Sequence, residues 1–234
     1  MTLTSPRTFS ALAAAVLGLS ATAPARAQLA TSLTLSSNLL FRGESVSQDD
    51  PTVTLAGSYD GPAGLFVGGD LAVSGGAGAP RMAMAEQYAG IARRLGRVSL
   101  EAGVIHRDYG AIYDEAYRLH FFEGYVGLNH RRGRIRFYIS PDYLRDGRNT
   151  YYLEAEARIA RVSGIDLSAH GGLSLIPYDL DSGREGFITY EDWSLAASRK
   201  VGRIELGAGI GGTNYPVFGP RGRIRAYASA SLAF

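Results

Sequence analysis

Apolar and polar residues alternate along most of the chain with a period of two. In 33–42, Leu33, Leu35, Leu39 and Phe41 share one face, while Thr34, Ser36, Asn38 and Arg42 share the other. That spacing predicts a strand with one apolar and one wet face. Val53, Leu55 and Tyr59 likewise oppose Thr52, Thr54, Ser58 and Asp60. The same alternation sets Leu65, Val67 and Leu71 against Asp70, and Ile135, Phe137 and Ile139 against Arg134, Arg136 and Tyr138. Leu153, Ala155 and Ala157 oppose Glu154, Glu156 and Arg158, and Ile165, Leu167 and Ala169 oppose Asp166, Ser168 and His170. With further runs at 84–95, 98–106, 118–129, 187–200, 203–213 and 223–234, twelve strands are predicted and no helix after residue 28.

Between these strands the connections alternate in length. Long or turn-rich segments at 43–51, 75–83, 107–117, 144–150, 177–186 and 214–221 alternate with tight joints at 61–63, 96–97, 131–133, 163–164 and 201–202. Up-and-down outer-membrane barrels have this arrangement, with short periplasmic turns and longer extracellular loops. A Greek-key sandwich has no reason for it.

The two faces separate lipid from water. The apolar face is rich in Ala and Gly, as at Ala155, Ala169, Gly171, Ala226, Ala228 and Ala230. Such residues fill a wide soluble core poorly but present a smooth wall to lipid. Charges of both signs on the other face then meet a watery interior. Aromatic residues cluster near strand ends: Phe41, Tyr109, Tyr113, Tyr117, Tyr143, Tyr151, Tyr178, Tyr190 and Tyr215 on the loop side, and Tyr59, Phe66 and Phe234 on the turn side. Two interfacial girdles are the expectation.

The N-terminus reads as an export signal. Arg7 precedes an apolar stretch from Phe9 to Leu19, too short to span a bilayer, and Ala25-Arg26-Ala27 forms a small-x-small cleavage site. Residues 1–27 are thus a signal peptide and 28–234 the barrel, an all-β transmembrane up-and-down antiparallel fold. The full chain has a net charge of +2, and removing Arg7 and Arg26 brings it to zero, which argues against a nucleic-acid partner. The chain contains no Cys, so thiol catalysis and disulfide frameworks are excluded. In the last strand Ile224, Ala226, Ala228, Ala230, Leu232 and the terminal Phe234 share one face. A C-terminal aromatic on such a strand resembles the assembly signal of outer-membrane proteins and implies the assembly machinery as a partner.

The segment Ser37-Asn38-Leu39-Leu40-Phe41-Arg42-Gly43-Glu44-Ser45, followed by Ser47, Pro51 and Tyr59, resembles the opening of the TorF family of Gram-negative outer-membrane porins. Phe41, Arg42, Gly43 and Ser45 carry its Phe-Arg-Gly-x-Ser pattern. Glu86 with Tyr88, Glu123-Gly124-Tyr125, and Tyr190-Glu191-Asp192-Trp193 are similar to later family segments, although Gly64–Asp70 lacks the family's aromatic-rich third strand. The resemblance implies an outer-membrane channel, without a substrate or catalytic residue.

Candidate catalytic chemistry is sparse. Gly207-Ala208-Gly209-Ile210-Gly211-Gly212 matches GxGxxG by letter, but no helix follows it, as a dinucleotide site requires. His106, His120, His130 and His170 show no metal-ligand spacing, so neither metal nor cofactor is expected. Ser168, His170 and Ser174 share the wet face, but neighbours two apart on a strand lie about 6–7 Å apart, too far for a nucleophile–base hydrogen bond.

The charged interior is the stronger candidate. Alternation sends Arg42, Asp70, Glu86, Glu123, Arg136, Glu154, Glu156, Arg158, Asp166, Asp192, Arg223 and Arg225 to the lumen. Closure should put Arg42 beside Arg223 and Arg225 as a basic wall, across from an acidic wall of Glu154, Glu156 and Asp166. Such opposed charges would tune passage, and an ion-pair network bracing the pore is the competing expectation. The sequence therefore predicts a monomeric, non-enzymatic, porin-like channel of the bacterial outer membrane for small polar or charged solutes. Two other readings are a barrel-embedded lipid-modifying enzyme and a non-conducting structural or adhesive barrel.

Overall fold

A computed structural model describes residues 28–76, 79–110, 119–144, 147–179, 185–214 and 223–234. Residues 1–27, expected from the sequence to be a signal peptide, lie outside the described residues, as do Tyr113, Tyr117 and Tyr215.

Twelve strands close one antiparallel barrel: β1 (Gln28–Ser36), β4 (Thr52–Asp60), β5 (Leu65–Ser74), β6 (Arg81–Leu95), β7 (Val98–Tyr109), β8 (Leu119–His130), β9 (Gly133–Ser140), β10 (Thr150–Val162), β11 (Ile165–Asp179), β12 (Glu185–Val201), β13 (Ile204–Thr213) and β14 (Arg225–Ala233). Each pairs with its neighbours in sequence, and β1 closes the ring between β4 and β14. The seam is sealed at the turn-side rim, where the Phe234 amide donates to Thr31 O (3.1 Å) and Thr31 Oγ1 donates to the Phe234 carbonyl (2.6 Å). The remaining elements are a hairpin of β2 (Leu40–Phe41) and β3 (Glu44–Ser45), and a 3₁₀ turn at Pro62–Gly64. Three of the tight joints turn through Gly96, Gly164 and Gly202 at positive φ.

The barrel is inside-out relative to a soluble protein. Leu55, Val67, Val104, Val126, Ile135, Leu153 and Leu206 stand exposed on its exterior. Glu86, Arg107, Glu123, Arg136 and Glu154 are buried within. An apolar band this extensive suits hydrocarbon and not water. Strands paired with a neighbour on either side around a closed ring also meet the demand that lipid imposes on backbone polar groups.

Several expectations change. The first strand does not run to Arg42 but ends at Ser36, and the chain then leaves the wall and enters the lumen. Leu39 and Phe41, expected toward lipid, are 1% and 3% exposed inside the barrel. They pack with Val46, Ala72, Met84, Tyr109, Phe121, Tyr143 and Ile176 in an interior core. Phe41, Tyr109, Tyr143 and Phe66 are therefore interior residues and not girdle members, and Tyr190 packs against the same core. Tyr59 and Phe234 do face outward. Strands β7 and β11 also run beyond their expected ends, taking in Arg107 and Pro177–Tyr178.

Candidate functional site

The site is built around the hairpin β2–β3. Its neck is a web of short polar side chains. Asn38 Oδ1 accepts from Ser45 Oγ (2.7 Å) and Ser47 Oγ (3.1 Å), and its Nδ2 donates to Asp49 Oδ1 (2.9 Å). The Leu39 amide donates to Ser47 Oγ (3.1 Å), and the Val46 amide to the Leu39 carbonyl (2.9 Å). Arg42 (φ +47°) and Gly43 (φ +78°) form the tip, both left-handed as a type I′ hairpin turn requires. A side chain at Gly43 would collide with the Gly212 carbonyl on β13. The Phe-Arg-Gly-x-Ser residues are thus one device: Phe41 packs into the core, Arg42 and Gly43 turn the tip, and Ser45 ties the neck.

Arg42 is the tip's anchor. Its guanidinium donates to Glu123 Oε1 on β8 (2.6 Å). The Cζ atom lies 3.9 Å from the Tyr152 ring centroid and 4.6 Å from that of Tyr143, within cation–π range. Burial pushes the Tyr143 hydroxyl up to about 12, although Arg42 opposes the shift, so this wall of the cage is neutral at physiological pH.

From Arg42 a chain of charges crosses the lumen. Glu123 also accepts from Arg107, which pairs with Glu86 (2.8 Å). Arg136 pairs with Glu101. Arg134 reaches Glu156 (2.9 Å) and Glu154 (3.6 Å), and Tyr138 donates to Glu154 (3.2 Å). Arg158 lies 3.4 Å from Asp166. At the loop-side rim Asp49 takes both Arg223 (3.1 Å) and Arg225 (3.2 Å). Asp70 is buried opposite Glu86 in the register, and Trp193 faces outward.

The expected opposed walls do not form. Arg42 has left the wall with its hairpin, Arg223 and Arg225 are met by Asp49, and Glu154, Glu156 and Asp166 each have an arginine beside them. Charges in a confined lumen lower their energy by pairing locally. Sequence reading also missed Arg107, which is fully buried and holds two carboxylates. Glu101, Ile105, Arg107 and Tyr109 share a face of β7, so extending the alternation by one step would have found it.

The lumen is filled unevenly. Phe66, Tyr88, Tyr125, Tyr138 and Tyr152 pack the side formed by β5 to β10. The side from β11 to β14 carries small residues, and a cavity of about 90 Å3 lies there. Its walls include Ser168, Ser194, Ser198, Gly207 and Ser229, and Leu40, Phe41, Arg42 and Gly43 stand at its hairpin end. Ser198 is only three residues from the end of β12, which places the opposite end of this vestibule near the turn-side rim. His170 faces the vestibule with Nε2 2.7 Å from Asp192 and 3.3 Å from Tyr152 Oη. That nitrogen is engaged by Asp192 and Tyr152, not by Ser168 or Ser174. The glycines of the GxGxxG stretch lie within β13, where Gly209 leaves room for the Tyr227 ring. Among the described residues no group of three or more His, Asp or Glu side chains could hold a metal.

The family profile described as a bacterial protein of unknown function (Gcw_chp) matches residues 20–216, which include all but the last strand. The chain belongs to the Gcw_chp family. Among solved structures this Gcw_chp barrel is similar to the KdgM porin, at 9% identity and a TM-score of 0.51 over 88% of this chain and 98% of that one. It is also similar to a protein solved in work on the in-meso crystallization of membrane proteins, at 8% identity and a TM-score of 0.52 over 88% and 83% of the two chains. Identities this low carry the fold alone. No curated protein matches the sequence.

Proposed function

We propose that this protein is an outer-membrane channel for small polar solutes, in which the vestibule is the conducting space and the hairpin β2–β3 is its stop. The observation that carries the reading is the uneven filling of the lumen. A structural barrel of twelve strands gains nothing by keeping one side lined with Ser, Gly and Ala, whereas a solute path needs it. The resemblance of Phe41-Arg42-Gly43-x-Ser45 to the TorF porins and the fold shared with the KdgM porin support the same reading. The apolar stretch and small-x-small site within 1–27 fit passage through the periplasm to the outer membrane. His170 and Asp192 face the lumen and not the acyl chains, which weighs against a lipid-modifying enzyme.

The vestibule wall carries Glu154, Glu156 and Asp192 against Arg42 and Arg134, with His170 adding a positive charge only when protonated, so with a neutral His170 the path should favour cations. Purified full-length protein in planar bilayers is expected to give discrete conductance steps with a cation-selective reversal potential. Glu156→Gln should move that potential toward the anion side. An absence of steps at high protein load overturns the channel reading, and an unchanged potential removes Glu156 from the path.

A further inference from the structure

Arg42 is held as a ligand is held. Its guanidinium meets a carboxylate at 2.6 Å and lies over two tyrosine rings. Glu123 and Tyr152 belong to the wall strands β8 and β10, and Tyr143 to the segment after β9. None of these three belongs to the hairpin, so the cage persists if the hairpin withdraws.

Charge makes the empty cage a cation receptor. Glu86 and Glu123 share Arg107 and Arg42, two carboxylates with two guanidinium groups. Without Arg42, two buried carboxylates are left with one guanidinium, and a buried uncompensated charge is strongly unfavourable. The chain's own occupant also fits imperfectly. Arg42 is a non-glycine residue at φ +47°, and its buried Nε makes no hydrogen bond among the described residues. A free guanidinium ion carries no such backbone constraint and can turn all its donors toward acceptors. Planarity matters here, because a guanidinium stacks on an aromatic face while pairing with a carboxylate, which a spherical ammonium does less well. The vestibule supplies the approach, since Arg42 and Tyr152 stand at its closed end.

We propose that the Glu123–Tyr143–Tyr152 cage is a recognition site for guanidinium-bearing solutes, occupied in this state by the protein's own Arg42, and that such a solute displaces Arg42 and frees the hairpin. The inference rests on the channel reading and names its solute class and its gate. Arg42 is tethered through a short loop, so its effective concentration is in the millimolar range or above. A simple guanidinium ion should therefore compete at tens of millimolar, as an order of magnitude.

The test uses the full-length protein with guanidinium chloride as the probe, against sodium chloride at equal ionic strength and urea as the neutral planar control. In bilayers, guanidinium should raise the open probability of the wild type roughly tenfold, while sodium and urea leave it unchanged. Arg42→Ala should be open without any probe and show no further rise. In detergent, calorimetric titration of Arg42→Ala should show saturable guanidinium binding, weakened roughly tenfold by adding Tyr152→Leu. Should Arg42→Ala fail to give a heat-resistant folded band, Arg42→Lys takes its place and should open at lower guanidinium than the wild type. Binding without conductance in any form would keep the site and overturn the channel. Conductance that treats guanidinium and sodium alike, with no binding to the vacated cage, overturns the site.

Discussion

Replacing Arg107 by Met is expected to destabilise the barrel by roughly 3–5 kcal/mol, the cost of leaving buried carboxylates without their partner. Arg107 has no exposed surface, and Glu86 and Glu123 are 1% and 2% exposed. Methionine keeps much of the apolar volume, so the loss is that of charge compensation and not of packing. Glu123 retains Arg42, whereas Glu86 loses the one arginine paired with it at 2.8 Å. The double variant Arg107→Met with Glu86→Gln should therefore recover more than half of the loss. The measurement is the urea midpoint of the heat-resistant gel form, or the fluorescence of Trp193, the single tryptophan. A change within about 1 kcal/mol would place the pair among ion pairs of negligible worth and remove the buried network as a stabilising element. Arg107 does not line the vestibule, so cation selectivity should be unchanged in whatever fraction folds.

The barrel was legible because its determinants are local. Period two, with apolar residues outside and charges inside, reports a strand between lipid and lumen, and alternating connection lengths report the up-and-down order. The hairpin was not legible for a physical reason. A residue buried against lipid and one buried in a plug are both apolar, so Leu39 and Phe41 extend the alternation of β1 without showing that the chain has left the wall. Leu40 was the available signal, an apolar residue where the wet face should continue. Asn38, Ser45 and Ser47, which tie the neck, were present in the sequence, but their mutual hydrogen bonds need the fold.

Charge pairing was harder still. Alternation selects which charges enter the lumen but says nothing of their partners across it. Arg136 lies opposite Glu154 in the register, yet it pairs with Glu101, two strands away. It can do so because Gly127 stands between them, where a side chain would meet both Arg136 Cγ and Glu101 Oε1. The opposed walls were an inference from face alone. Register and side-chain reach replaced them with local pairs.

Removing the hairpin should have the largest functional effect. Asn38 and Ser47 lie side by side at its neck (3.1 Å between side chains), so joining them through two glycines excises 39–46 without stretching the wall. The barrel should still close, because β1 keeps its nine residue pairs with β4 and its pairing with β14. Tyr109, Phe121 and Ile176 would then face a wet lumen, at some cost in stability, but no wall strand is lost. Single-channel conductance is expected to rise by about fivefold or more as a side-chain-filled lumen becomes a water-filled one. Gly43→Val should act in the same direction and less strongly. Its side chain meets the Gly212 carbonyl and its φ of +78° opposes a β-branched residue, so the tip is dislodged while the neck stays tied. Heat-resistant mobility must be retained in both variants for the comparison to hold. Unchanged step size in a folded hairpin-less barrel would mean that the solute path does not pass the hairpin.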